Sequence, residues 1–192
     1  MEQQIVQIPS GKAIIIICGP TTCGKSSIAR RLLKVCNGKY ISYERIGNSI
    51  PTKMGKEKYV LATTKMFAQE IEKAVMSEQY VVIETPFVEE CQLSGLIVSL
   101  RIYGYNGDIT LIEVNLPKNI HLDYWQRKHN PKPNKKVLLQ ERAIFEKEIL
   151  ATDHSKDGGF NEIRITNPNA VKYKKAWIIN WISKWWPYAL CA

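Results

Sequence analysis

The chain has 192 residues, of which 45% are hydrophobic and 23% are charged. This length supports one hydrophobic core and excludes two full domains with a linker, so we expect a single domain over residues 1–192 with a short inserted lid. Lys and Arg number 27 against 18 Asp and Glu, which gives a formal net charge of +9. Such a balance attracts nucleotides, nucleic acid or an anionic membrane, and a scattered solvated surface also produces it.

The five cysteines and the N-terminal residues bear on the cellular compartment. No two cysteines have the spacing of metal ligands, which argues against a zinc site. An odd number of cysteines without a signal-peptide pattern predicts reduced thiols and a cytoplasmic location. No stretch reaches 18 consecutive apolar residues, so the sequence predicts no membrane-spanning helix.

Strand and helix patterns alternate along the chain. Short β-branched and apolar runs predict five strands, at 13–18, 40–45, 80–84, 108–115 and 160–166. Helical spacing of apolar residues predicts helices at 25–35, 56–79, 89–103, 117–127 and 137–150, and a Trp-rich C-terminal helix at about 169–186. This alternation predicts an α/β fold with a five-stranded parallel sheet and helices on both faces.

The first strand is followed by a glycine-rich segment, Gly-Pro-Thr-Thr-Cys-Gly-Lys-Ser at 19–26, which matches G-x-x-x-x-G-K-[ST] at every fixed position. Gly19 and Gly24 allow the backbone to wrap around phosphate, and the N–H groups and the following helix N-terminus bind the anion. Lys25 is predicted to reach the β- and γ-phosphates, and the Ser26 hydroxyl to ligate Mg²⁺. The predicted nucleotide-binding residues are Gly19, Pro20, Thr21, Thr22, Cys23, Gly24, Lys25, Ser26 and Ser27. The predicted fold is therefore a P-loop NTPase three-layer sandwich, and the predicted cofactors are ATP and Mg²⁺.

Two large classes of P-loop protein lack their signatures here. A GTPase needs Asn-Lys-x-Asp, and the nearest string, residues 134–137, has no Asp. A transporter ATPase needs Leu-Ser-Gly-Gly-Gln, and residues 93–96 lack the second Gly and the following Gln. These exclusions favour a small kinase.

From Ile14 to Pro168 the chain resembles the 5′-hydroxyl polynucleotide kinase branch of the P-loop kinases, which includes zeta-toxin-like and chloramphenicol-phosphotransferase-like relatives. The resemblance rests on five segments in the order of the family, at 19–26, 41–45, 82–87, 115–117 and 159–163. It implies transfer of the γ-phosphate of ATP to a hydroxyl acceptor, with a polynucleotide 5′-hydroxyl end as first choice. A small-molecule or nucleotide-sugar acceptor is the alternative, and a non-catalytic nucleotide-binding interaction module is a third hypothesis.

The chain departs from the family pattern at three places. Glu44 stands where the family has the Asp that acts as general base, which lengthens the side chain by one carbon. Glu84-Thr85-Pro86 stands where the family has Asp-Ala-Thr. Tyr124 occupies the first of the two positions where the family has lid arginines, and Arg127 or Lys128 occupies the second. The family's acceptor is therefore not carried over directly.

Both departing carboxylates end predicted parallel strands, at the edge where ligands bind in open α/β sheets. Phosphoryl transfer needs one carboxylate to accept the proton of the acceptor and another to hold Mg²⁺. We assign Glu44 as the candidate base and Glu84 as the Mg²⁺ ligand or acceptor-positioning residue. A surface role for Glu44, paired with Arg45, is the alternative.

Residues 127–136 form a cationic segment at the place where small kinases carry a lid. Closing cations neutralise the charge that develops on the transferring phosphate, and Arg127 is the best choice because a guanidinium binds phosphate bidentately. A solvated loop is the alternative. Trp177, Trp181 and Trp185 repeat at helical spacing and predict a helix that packs on the sheet, whose end packs on a second subunit or a membrane surface.

Overall fold

The computed structural model describes residues 5–8, 11–51, 55–127, 134–152, 160–166 and 172–175. The strands are β1 (Ile5–Ile8), β2 (Ala13–Cys18), β3 (Lys39–Ser42), β4 (Tyr80–Glu84), β5 (Ile109–Val114), β6 (Phe160–Ile165) and β7 (Lys172–Lys175). The helices are α1 (Lys25–Cys36), α2 (Tyr43–Ser49), α3 (Lys56–Ser77), α4 (Glu90–Ile102), α5 (Lys118–Arg127) and α6 (Lys135–Glu148). None of these helices is long and apolar enough to cross a bilayer.

Five strands form one parallel sheet in the order β3-β4-β2-β5-β6. The continuous isoleucine run of β2 lies at the centre, as expected of a strand that is buried on both faces. Because parallel strands end at the same edge, Ser42 of β3 pairs in register with Glu84 of β4. This edge also holds the end of β2, where the loop to α1 begins.

Both faces of the sheet are covered by helices. Ile14 and Ile16 pack with α3, α4 and α6 on one face, and Ile15 and Ile17 pack with α1 and α5 on the other. This division follows from the period of two along a strand. The predicted α/β three-layer fold with a five-stranded parallel sheet is confirmed.

The second predicted strand ends earlier than its sequence indicated. We predicted 40–45, but β3 ends at Ser42, and residues 43–49 form α2. Ser42 is the N-cap of α2, and its hydroxyl accepts a hydrogen bond from the N–H of Arg45 at 3.4 Å. Serine at this position starts a helix because its side chain satisfies an otherwise unpaired N–H group. Glu44 therefore lies in the first turn of a helix and not at the end of a strand.

The C-terminal prediction was wrong where the structure tests it. Residues 172–175 of the predicted helix form β7, which pairs in parallel with β1 in a separate two-stranded sheet. Strand pairing across the chain overrides local helical spacing, and the partner segment 5–8 gave no helical or strand prediction of its own. The three tryptophans and the subunit or membrane contact predicted for them lie outside the described residues, as do residues 128–133 of the predicted lid.

Candidate active site

The loop between β2 and α1 has the backbone of a phosphate-binding loop. Gly19, Thr22 and Gly24 have φ angles of +146°, +65° and +95°. A Cβ on Gly19 would lie 2.7 Å from the carbonyl oxygen of Val114, so glycine lets the loop pass close to β5. Gly24 caps α1, and the first N–H groups of a helix lack partners within it. The loop and the helix N-terminus together offer an anion site.

Lys25 crosses this loop and is 8% exposed. Its ammonium donates to the carbonyl oxygen of Gly19 at 2.7 Å and to that of Pro20 at 3.0 Å. These two carbonyls satisfy a buried positive charge and hold it beside the loop. The charge is therefore placed to attract the phosphates that the loop would bind.

Ser26 and Glu84 meet at the carboxyl edge of the sheet. The Ser26 hydroxyl donates to Oε1 of Glu84 at 2.7 Å, and the Tyr40 hydroxyl donates to Oε2. Glu84 is 5% exposed, and these donors replace the water that burial removes. Burial, and then the neighbouring Glu84 carboxylate, raise the pKa of Tyr40 to about 12, so Tyr40 remains a donor at neutral pH.

The donor set at this point fits Mg²⁺, which prefers hard oxygen ligands such as carboxylates and hydroxyls. Ser26 and Glu84 supply one of each, already in contact. The loop and Lys25 supply the N–H groups and the charge that a triphosphate needs. The residues present therefore fit both ATP and Mg²⁺.

A cavity of about 350 Å³ opens at this edge and brings most of the predicted site residues together. Its lining residues are Thr21, Thr22, Gly24, Lys25, Ser26, Ser27, Arg30, Ser42, Glu44, Glu84, Thr85, Pro86, Tyr124 and Arg127. The predicted catalytic residues Lys25, Glu44 and Arg127 are all among them. Gly19, Pro20 and Cys23 belong to the loop but do not line the cavity.

Glu44 reaches the cavity from α2, where its side chain is exposed. It also lines an adjoining cavity of about 540 Å³, which shares Ser26, Arg30 and Ser42 with the first and adds Arg45. The guanidinium of Arg45 lies 5.5 Å from the centre of the Tyr40 ring. Glu44 thus lines both cavities, and Arg30 of α1 and Arg45 of α2 line the second cavity with it.

Arg127 is the last residue of α5, and its side chain is 73% exposed. Its guanidinium contacts Oδ2 of Asp123, one turn earlier on the same helix, at 2.7 Å. Exposed pairs of this spacing contribute about 0.3–0.5 kcal/mol, so a phosphate competes with Asp123 easily. Lys128, the alternative lid cation, lies outside the described residues.

Cys23 behaves differently from a thiol at an open helix N-terminus. The side chain is 1% exposed, and burial raises the pKa of the thiol. Cys23 is therefore held as a protonated, packed side chain inside the loop.

Four side chains at this site were missed by the sequence analysis. Arg30 follows Ser26 by one helical turn, and Tyr40 lies two residues before Ser42 on the same strand face, so periodicity contained a signal for both. His121 of α5 and Glu141 of α6 contact the phosphate loop across the fold. No local pattern marks these two, because their contacts depend on how the helices pack.

No protein-family model and no curated protein sequence matches this chain. Solved structures do match it. One is a chain of the Pnkp1/Rnl/Hen1 RNA repair complex, with a TM-score of 0.62 and 16% identity over 74% of this chain and 47% of that chain. A second is a tunicamycin resistance protein from Deinococcus radiodurans, with a TM-score of 0.56 and 17% identity over 81% of this chain and 86% of that chain.

A third is a gluconokinase from Sinorhizobium meliloti 1021, with a TM-score of 0.53 and 13% identity over 83% of this chain and 86% of that chain. This chain thus spans about half of the chain from the RNA repair complex and most of the other two. At these identities the likeness shows the fold alone, an α/β fold with a central parallel sheet.

Proposed function

We propose that the protein is a phosphotransferase that moves the γ-phosphate of ATP, with Mg²⁺, to a hydroxyl acceptor. The observation that carries this proposal is the cavity in which Lys25, the Ser26–Glu84 pair and Glu44 lie together. Nucleotide binding needs only the phosphate loop and the Mg²⁺ ligands Ser26 and Glu84, and Glu44 adds a second carboxylate to the cavity. A kinase needs an additional carboxylate to accept the proton of the attacking hydroxyl.

Each residue has a distinct role in this proposal. The loop N–H groups and Lys25 bind the phosphates, and Ser26 and Glu84 hold Mg²⁺, which supplies charge neutralisation on the phosphates when bound. Glu44 accepts the hydroxyl proton as the acceptor attacks. Arg127 leaves Asp123 and contacts the transferring group, where its charge stabilises the transition state.

The acceptor we propose first is a polynucleotide 5′-hydroxyl end. Arg30 and Arg45 flank the cavity that adjoins Glu44, and the chain carries a net charge of +9. Both features favour an acceptor that carries phosphate groups near its hydroxyl. The match to a chain of an RNA repair complex supports the same choice, and the matches to a gluconokinase and to a tunicamycin resistance protein support the small-molecule alternative.

The test is transfer of labelled γ-phosphate to a panel of acceptors. The panel contains DNA and RNA oligonucleotides with a 5′-hydroxyl, the same oligonucleotides with a 5′-phosphate, gluconate, and a nucleotide sugar. Label on the 5′-hydroxyl oligonucleotides alone supports the first choice, and label on a small molecule supports the alternative. ATP binding without any transfer supports the interaction module.

Lys25→Ala is the control for the nucleotide site. Loss of the ammonium removes the charge that faces the phosphates, so we expect ATP affinity to fall by at least about tenfold. Circular dichroism and the thermal midpoint show whether the variant is folded. A folded variant with unchanged ATP affinity contradicts the phosphate-loop assignment.

A further inference from the structure

The Thr21 peptide of the phosphate loop is bound on both sides by helices. Its N–H donates to Oε2 of Glu141 on α6 at 3.0 Å, and its carbonyl oxygen lies 2.7 Å from Nε2 of His121 on α5. Thr21 lines the cavity of about 350 Å³ at the sheet edge (the cleft), whereas Glu141 and His121 are not among its lining residues. The two side chains therefore contact the loop outside the cleft.

The next residue explains why the loop needs such contacts. Thr22 has a φ of +65°, in the left-handed region that a non-glycine residue adopts only when its surroundings hold it there. Its hydroxyl lies 3.3 Å from the same Nε2 of His121. One imidazole thus contacts both the peptide before the strained residue and the side chain of that residue.

His121 is suited to this contact by its burial. It is 2% exposed, and burial lowers its pKa, with smaller contributions from the charges of Arg142 and Lys25. The neutral ring carries one proton, and the short contact to a carbonyl oxygen places that proton on Nε2. His121 therefore donates to Thr21 without bringing a second positive charge next to Lys25.

Helix α6 also locates the start of α5. Arg142, the residue after Glu141, donates to the carbonyl oxygen of Leu116, and the carbonyl of the next residue, Pro117, accepts from the N–H of His121 at 2.9 Å. Adjacent residues of α6 thus contact the phosphate loop and the turn that opens α5. These contacts connect the loop, α5 and α6 to one another.

We propose that Glu141 and His121 are positioning residues that hold the Thr21 peptide and so preset the phosphate loop for its ligand. The inference rests on the proposed function in one respect, that the loop binds nucleotide phosphates. A loop that is preset loses less entropy on binding and needs no rearrangement when the phosphates arrive. Glu141 and His121 act through the loop and do not touch the reacting atoms.

The test compares Glu141→Ala with Glu141→Gln, which keeps an oxygen acceptor, and with Glu146→Ala. Glu146 lies on the same helix and pairs with Arg142, so its loss changes the net charge equally without touching the loop. Hydrogen exchange of the Thr21 amide is measured by NMR without nucleotide, and the affinity for ATP by calorimetry. Glu141→Met, which keeps side-chain length without an acceptor, replaces the alanine variant if that variant does not fold.

We expect Glu141→Ala to speed exchange of the Thr21 amide and to weaken ATP binding by about five- to tenfold, as for loss of one ordinary hydrogen bond. We expect KM for ATP to rise more than kcat falls. Glu141→Gln and Glu146→Ala should stay within about twofold of the wild type. Unchanged exchange or unchanged ATP affinity in a folded Glu141→Ala protein would overturn the inference, as would equal losses in the Glu146→Ala control.

Comparison of ATP binding by the wild type and by Glu141→Ala separates this inference from the proposed function. A wild-type protein that does not bind ATP refutes the proposed function and the ligand-binding part of the inference together. A wild type that binds ATP and a Glu141→Ala variant that binds it equally refute the inference alone.

Discussion

The cleft has two walls that are built on different contacts. The carboxylate wall, formed by Ser26, Ser42, Glu44 and Glu84, lies at the sheet edge. Buried strands align Ser42 with Glu84 there, and the hydroxyls of Ser26 and Tyr40 hold the Glu84 carboxylate. The α5 wall, formed by Tyr124 and Arg127, ends in a guanidinium that is 73% exposed and bound to a neighbour on its own helix. Acids at a sheet edge are thus preset by the backbone, whereas the cation must change partners to act.

Glu44→Gln gives the largest expected effect on this comparison. The amide keeps the size and hydrogen bonding of the carboxylate but does not accept the hydroxyl proton. We expect turnover to fall by roughly two to four orders of magnitude, the usual contribution of general base catalysis, with little change in ATP affinity. Single-turnover transfer to the best acceptor of the panel measures it.

Glu44→Asp is the matched variant, because it keeps the charge and restores the shorter side chain of the resembled family. We expect it to retain substantial activity and to change the preference among acceptors. Wild-type turnover in Glu44→Gln would remove Glu44 from the mechanism and leave Glu84 as the remaining candidate carboxylate of the cleft lining.

Arg127→Ala tests the α5 wall. If the guanidinium contacts the transferring group, turnover should fall by about two orders of magnitude, while the dissociation constant of ATP changes far less. Asp123→Ala is the companion variant, since it frees Arg127 from a weak surface pair and should alter turnover by only about twofold. A loss confined to ATP affinity would show that Arg127 binds the ground state and does not act as a lid cation.

Tyr40→Phe tests whether the carboxylate wall is preset. The variant keeps the ring but removes the donor to Oε2 of Glu84. We expect the Mg²⁺ concentration at half-maximal activity to rise by roughly tenfold, as for loss of a group that orients a metal ligand. Calorimetric titration of ATP at several Mg²⁺ concentrations gives the same quantity without turnover.

Tyr43→Phe is the control for the tyrosine variant. The Tyr43 hydroxyl contacts Thr64 at an exposed site. Its loss removes a tyrosine hydroxyl close to Tyr40 in the chain without changing the carboxylate wall. Equal Mg²⁺ dependence in the two variants would contradict a positioning role for Tyr40.

The sequence predicted the sheet and the phosphate loop because both are encoded locally. The isoleucine run of β2 indicates a strand buried on both faces. The glycine spacing between 19 and 24 indicates a phosphate-binding loop. The second strand was extended past Ser42 to residue 45, although serine before a helical stretch also indicates an N-cap. That error placed Glu44 at a strand end instead of in a helix, yet Glu44 still lies at the cleft, since α2 begins at the same sheet edge.

The rest of the site depends on contacts between distant segments. Nothing near Glu141 indicates that it accepts a hydrogen bond from Thr21, and nothing near Lys172 indicates a strand partner at Ile5. Arg127 was chosen for its charge, which the sequence shows, whereas its pairing with Asp123 depends on side-chain conformation. Long-range pairing and side-chain choice are the parts that periodicity does not encode.

The small sheet formed by β1 and β7 matters for how the protein is produced and handled. Residues 5–8 and 172–175 pair backbone to backbone, so a truncation that deletes either segment leaves the N–H and C=O groups of the other without their strand partner. Strand β7 also contacts α1, the helix that begins with Lys25 and Ser26. A shortened expression clone therefore disturbs the support of the helix that follows the phosphate loop, and an affinity tag or fusion partner is best joined through a linker that leaves both segments free to pair.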